Sequence, residues 1–145
     1  MARIDQYFSE MKAMGASDLH MVAGFPPLIR KSGELTALDH PALTPQSNME
    51  ILLEILDSEQ RRQAMSDMDF DMAYALEGVG RFRCNLFFQH RGLCGVFRII
   101  PTEILTLEQL NLPPVLKTIS EYHKGLVLVT GPTGSGKSTT LAAMV

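Results

Sequence analysis

The stretch Gly131-Pro132-Thr133-Gly134-Ser135-Gly136-Lys137-Ser138 constrains this chain more than any other, because it fits G-x-x-x-x-G-K-[ST] at every fixed position. Glycines at that spacing let successive backbone N–H groups converge on a phosphate with no Cβ in the way, at the positive end of the following helix. The flanks suit the motif. Leu126-Val127-Leu128-Val129 reads as a short strand buried on both faces, and Leu141-Ala142-Ala143-Met144 favours helix. Gly131, Pro132, Thr133, Gly134, Ser135, Gly136, Lys137, Ser138 and Thr139 are therefore expected to hold the phosphates of ATP. Lys137 is expected to act catalytically on the β- and γ-phosphates, and the Ser138 hydroxyl to ligate Mg²⁺. Val145 is reached soon after that lysine, with no acidic strand to support Mg²⁺ and no carboxylate to position water. The sequence thus reads as the N-terminal part of a longer ATPase, cut after its first βα unit and by itself inactive.

Composition fits one complete domain plus a short addition, since 145 residues at 46% hydrophobic suffice for one core. A net charge of −3 provides no basic field, so nucleic acid is not an expected partner. Arg3, Asp5, Glu10, Lys12 and Asp18 interrupt any apolar run that would make a signal peptide, and no stretch approaches a membrane span. A soluble, cytoplasmic protein is expected. Cys84 and Cys94 lie in neighbouring strand-like segments, where a bridge is geometrically open, but reduced core thiols suit such a chain better.

Along the chain, Ile4, Tyr7, Phe8 and Met11 recur at helical spacing, which predicts an amphipathic helix over residues 3–14 ended by Gly15, its stripe facing the core. Residues 17–22 alternate, and Leu28 to Lys31 then turns at Ser32-Gly33 into Glu34 to Leu38, a small antiparallel meander. His20 beside Asp18 suits either a metal or proton site or a hydrogen-bonded structural role, the commoner fate of a strand histidine. Thr44-Pro45 caps a helix carrying Met49, Leu52, Leu53 and Leu56, and Ser58-Glu59 opens a second with Arg61 and Arg62 on a solvated face. From Asp69 the period becomes two. Phe70 to Leu76, Phe82 to Phe88 and Leu93 to Ile100 read as three strands, with turns at 78–80 and 91–92.

Residues 1–101 are accordingly expected to form an α+β domain, a mainly antiparallel sheet with three helices. Residues 102–122 read as an interdomain linker with short helices, one opened by a capping box at Thr106 and Gln109, and residues 123–145 as the start of the next domain. On the last strand, Cys94, Val96, Arg98 and Ile100 share a face that is apolar apart from the arginine. Such an arginine needs an anionic partner or a route to solvent, and Asp69 and Asp71 are the local carboxylates available.

Gly15-Ala16-Ser17-Asp18-Leu19-His20, Gly80-Arg81-Phe82-Arg83, Val96 to Pro101, Leu110-Asn111-Leu112-Pro113 and Gly125 to Met144, in that order, resemble the type IV pilus retraction ATPases of the PilT type, within the secretion ATPase superfamily. The resemblance covers essentially the whole chain. It implies a PAS-like N-terminal domain joined flexibly to a RecA-like P-loop domain, six subunits in a ring, and ATP hydrolysis that powers pilus retraction and twitching motility. It further implies a cytoplasmic motor at the inner membrane, engaging the platform protein of the pilus base. Arg98 and Arg81, with Arg83 behind them, become candidate catalytic residues that approach nucleotide phosphates. Two other readings stay open: an assembly or secretion motor of the same superfamily, and a non-catalytic regulatory or oligomerisation module.

Overall fold

A computed structural model describes residues 2–101, 104–132 and 135–145. They fall into two compact units, Met1–Ile100 and Pro101–Val145.

In the first unit, helix α1 (Ile4–Ala13) ends where Gly15 takes a left-handed φ of 66°. The Gly15 and Ala16 amides then donate back to the carbonyls of Lys12 and Met11 at 3.0 Å, so the last turn is satisfied by backbone alone. Strands β1 (Asp18–Met21), β2 (Leu28–Lys31) and β3 (Glu34–Ala37) follow. Ser32 and Gly33 both have positive φ, which makes the two-residue turn whose twist suits a hairpin. Helix α2 (Pro45–Leu53) is capped by Thr44 and Ser47 in reciprocal hydrogen bonds, and α3 (Ser58–Asp67) by Asp57 and Gln60 in the same way. Strands β4 (Asp69–Leu76), β5 (Gly80–Gln89) and β6 (Gly92–Ile100) complete the unit.

The six strands form one antiparallel sheet in the order β3-β2-β1-β6-β5-β4. The last strand closes on the first, so the centre of the sheet is a pairing between residues about eighty positions apart, Asp18 opposite Arg98 and His20 opposite Val96. One face carries the core: Leu19, Met21, Ile29, Phe82, Cys84, Leu86, Leu93 and Phe97 are buried with Ile4, Phe8 and Met11 of α1 and Ile51 and Leu52 of α2. Phe8 lies at its middle, stacked on Phe82 at 4.1 Å between centroids and edge-on to Phe97 at 5.2 Å. Gly95 lets α2 come close, since a Cβ there would lie 2.7 Å from both Leu52 Cδ2 and the Phe97 ring.

Cys94, Val96, Arg98 and Ile100 share one face of β6, as the sequence pattern reads, and that face is the one turned away from the core. Leu93 and Phe97 are the core residues of that strand, so Arg98 and the residues in step with it face away from the core. Arg98 therefore stands on the open face of the sheet, a mostly solvated surface rather than an apolar one. Cys84 lies on the core face and Cys94, buried as well, on the other; both are free thiols, and burial pushes the Cys84 thiol up to about 12.

The second unit contains α4 (Val115–Ser120) and α5 (Lys137–Met144), with no buried residue on either helix. The Thr106–Gln109 capping box forms, yet it closes a turn over residues 107–111 rather than a helix, and Asn111 ends that turn at a φ of 52°. Residues 125–130 form no strand: Leu126 is 82% and Leu128 74% exposed. The pattern of a doubly buried strand is present, but a strand exists only through a ladder partner, and no described residue pairs with this segment.

Candidate functional site

The phosphate-binding motif occupies the start of α5. Gly136 precedes the helix in the left-handed region at a φ of 85°, and no side chain caps the helix, so its first amides lack a side-chain acceptor. Gly131 has a φ of 151°, and a Cβ there would lie 2.7 Å from Ser135 Oγ. Three donors converge on the Pro132 carbonyl: Lys137 Nζ at 2.6 Å, Ser135 Oγ at 2.8 Å and the Ser135 amide at 3.3 Å. Lys137 is thereby folded back along the loop to donate to a neutral carbonyl, which an anionic phosphate outcompetes as an acceptor. Ser138 and Thr139 are exposed on the first turn of the helix. Thr133 and Gly134 lie outside the described residues. A glycine where a Cβ would collide, uncapped helical amides, and a lysine and a hydroxyl on the first turn suit a nucleotide's phosphates with Mg²⁺.

The candidate arginines stand on the open face of the sheet, by strand register rather than by sequence proximity. Across the strands run Arg30 of β2, Asp18 of β1, Arg98 of β6 and Arg83 of β5, each directly opposite the next. Arg98 Nε donates to Asp18 Oδ1 at 2.7 Å; the arginine side chain is 71% exposed and the aspartate 4%. Ser17 Oγ donates to the other carboxylate oxygen at 2.7 Å, and Arg30 Nε lies 3.9 Å from it. Burial by itself would push the Asp18 carboxyl up, but the Ser17 hydroxyl and the Arg98 guanidinium outweigh it and hold the group below the usual carboxylate range. Arg83 is drawn instead to Asp71, at 3.6 Å, while Asp69 accepts from Asn85 at 2.7 Å. Arg81 is exposed opposite Ile100 and has no ion pair among the described residues.

Sequence reasoning named the arginines but gave Arg98 the wrong partner. Of the two carboxylates considered, Asp71 belongs to Arg83, whereas Asp18 holds Arg98. Residues eighty apart leave no local signal of pairing; only the shared odd chemistry of an aspartate and an arginine on strands otherwise rich in apolar residues pointed to it. His20, in the next row, is buried enough that burial and then Arg30 hold its ring below the ordinary histidine value, and its Nε2 has no partner among the described residues. No three potential metal ligands converge among those residues.

A family model described as Type II/IV secretion system protein matches residues 2–145. The chain is 47% identical over 131 residues to the type IV pilus retraction ATPase PilT of Pseudomonas aeruginosa, an alignment covering 90% of this chain and 38% of that protein. It is 40% identical over 124 residues to a twitching motility protein of Neisseria gonorrhoeae, covering 86% and 33%. Among solved structures, the pilus retraction motor PilT with bound ADP superposes with a TM-score of 0.83 at 36% identity, over 99% of this chain and 42% of that one. The chain thus spans well under half the length of these relatives.

Proposed function

The chain belongs to the family of Type II/IV secretion system proteins, and from that premise we propose that it forms the N-terminal part of an ATP-hydrolysing motor for type IV pilus retraction. The observation that carries the reading is the loop before α5, where Gly131, Gly136, Lys137 and Ser138 meet the demands of a bound triphosphate. Bound Mg²⁺-ATP supplies the transferable γ-phosphoryl group and a cation to neutralise its charge. The first amides of α5 would bind the phosphates, Lys137 would exchange the Pro132 carbonyl for phosphate oxygens, and the Ser138 hydroxyl would hold Mg²⁺. Gly131 to Thr139 as a whole, Thr133 and Gly134 included, form the binding loop.

Arg98 and Arg81 meet the phosphates only during turnover, where added positive charge stabilises what develops on the transferring group. The motor works as a ring of six copies in the cytoplasm, against the platform protein at the inner membrane, and its hydrolysis-driven domain motion withdraws the pilus. The 145 residues alone bind nucleotide without turnover, since no acidic residue follows Lys137 in them. In the full-length protein, Lys137→Ala should abolish ATP hydrolysis and the rise in melting temperature given by Mg²⁺-ATP, a rise worth about 2.7 kcal/mol when ligand is at a hundred times its Kd. Turnover that survives Lys137→Ala would defeat the proposal. Arg98→Ala should slow turnover far more than it weakens ATP binding; a loss within about threefold, roughly 0.7 kcal/mol, would make Arg98 a structural residue.

A further inference from the structure

We propose that Asp18 is the positioning residue of Arg98, a buried carboxylate that grips the guanidinium through Nε alone and so aims its two terminal nitrogens at an oxyanion. The inference rests on the reading that Arg98 meets phosphate during turnover. It starts from an asymmetry within one ion pair, because the carboxylate is 4% exposed and the guanidinium 71%. An ordinary surface pair leaves both partners mobile, whereas here one end is anchored in the sheet and the other projects from it.

The anchor is itself fixed. Ser17 Oγ binds Asp18 Oδ2 at 2.7 Å, the Ser17 amide donates to the Arg30 carbonyl at 2.8 Å, and the Ser17 carbonyl accepts from the Ile99 amide at 3.1 Å. Backbone bonds to β2 and β6 thus lock the residue that orients the carboxylate. On the arginine, the bond from Nε at 2.7 Å leaves Nη1 and Nη2 without a hydrogen-bond partner among the described residues. A guanidinium has five donors in a rigid fork, so a hold on Nε sets the plane while the terminal pair remains able to take an oxyanion.

The neighbouring arginine is handled in parallel. Arg83 lies directly opposite Arg98, a like-charge cross-strand pair, and Asp71 draws it the other way at 3.6 Å. Asp18, Asp71, Arg83, Asn85, Val96 and Arg98 line a hollow of about 210 Å³. Two carboxylates therefore draw the two cations apart around that hollow. A pre-set arginine loses less side-chain freedom on meeting the phosphoryl oxygens, and that saving is realised in the transition state if contact occurs only there.

The test is a double-mutant cycle in the full-length protein, with kcat, KM for ATP and melting temperature read for Asp18→Ala, Asp18→Asn, Arg98→Ala and the Asp18→Ala/Arg98→Ala pair. Arg98→Ala should lower kcat by at least about tenfold. Asp18→Ala should reproduce much of that loss with KM within about twofold, and the pair should be no slower than Arg98→Ala alone. Asp18→Asn keeps the shape of the side chain and a neutral acceptor for Nε but loses the charge that holds the guanidinium, so its kcat should lie below wild type and above Asp18→Ala. If Arg98→Ala is slow while Asp18→Ala or Asp18→Asn turns over normally per folded molecule, or if the two losses multiply, the positioning role is wrong and the arginine reading survives. If Arg98→Ala itself turns over normally, the arginine reading fails and the positioning role with it. Should Asp18→Ala not fold, Asp18→Asn decides the matter, because wild-type kcat from it removes any need for the charged grip.

Discussion

The two units divide the work unequally. The first holds six paired strands and a continuous core from Ile4 to Phe97, yet its polar chemistry is a row of arginines and carboxylates that no local motif announces. The second carries the most recognisable eight residues of the chain at the start of α5, and neither of its two short helices has a buried side chain, beside a segment in which Leu126 and Leu128 are exposed. A motif is therefore no measure of how well its surroundings are packed. Phosphate recognition needs only backbone geometry over a few residues, whereas a core needs many residues brought together from distant positions.

The sharpest way to break the contrast is to hollow out the first unit. Phe8→Ala should cost about 3–5 kcal/mol, because it removes the ring that Phe82 and Phe97 both pack against. The expected readout is a large fall in the denaturation midpoint of the β-sheet signal; a fall under about 1 kcal/mol would place the core elsewhere. Gly95→Ala comes next, at about 1–3 kcal/mol, since Leu52 and the Phe97 ring must yield to the new methyl group. Equal stability of this variant by urea melts would mean that α2 is not seated on β6 as described.

Acid should act on the first unit through Asp18 and His20. The folded Asp18 lies below its unfolded value, so its contribution is present above the ordinary carboxylate range and is lost as pH falls through the lowered one. His20, also lowered, adds to the same trend but starts nearer neutrality, where the unfolded ring begins to take up protons that the folded one refuses. Denaturation curves across pH should show Asp18→Asn flattening the lower step and His20→Asn the upper one. An unchanged pH profile in both variants would remove the electrostatic account of this row.

The smallest effect is expected where sequence promised a buried strand. Leu128→Ser should shift the stability of the 145-residue chain by no more than about 0.5 kcal/mol, as befits an exposed side chain. In the same chain, amides of Val127 to Val129 should exchange far faster than those of Phe82 to Phe88, which lie in ladders on both sides. Comparable protection in the two segments would erase the difference between the units.

What the sequence by itself determined is whatever closes within a few residues. The hairpin at Ser32-Gly33, the caps at Thr44 and Asp57, the stop at Gly15 and the glycine spacing of Gly131 to Ser138 are all set by local dihedral preference and hydrogen bonds of short reach. Even the helical stripe of Ile4, Tyr7, Phe8 and Met11 identified its buried face correctly. Tertiary structure alone decided what depends on a partner. The closure of β6 on β1 gave Arg98 the carboxylate of Asp18 in place of Asp69 or Asp71, and the packing of Leu93 and Phe97 under α1 and α2 turned Arg98 to the open face. Alternation along a strand fixes two faces without saying which is inward, and a strand pattern without a neighbour, as at residues 125–130, remains only a pattern.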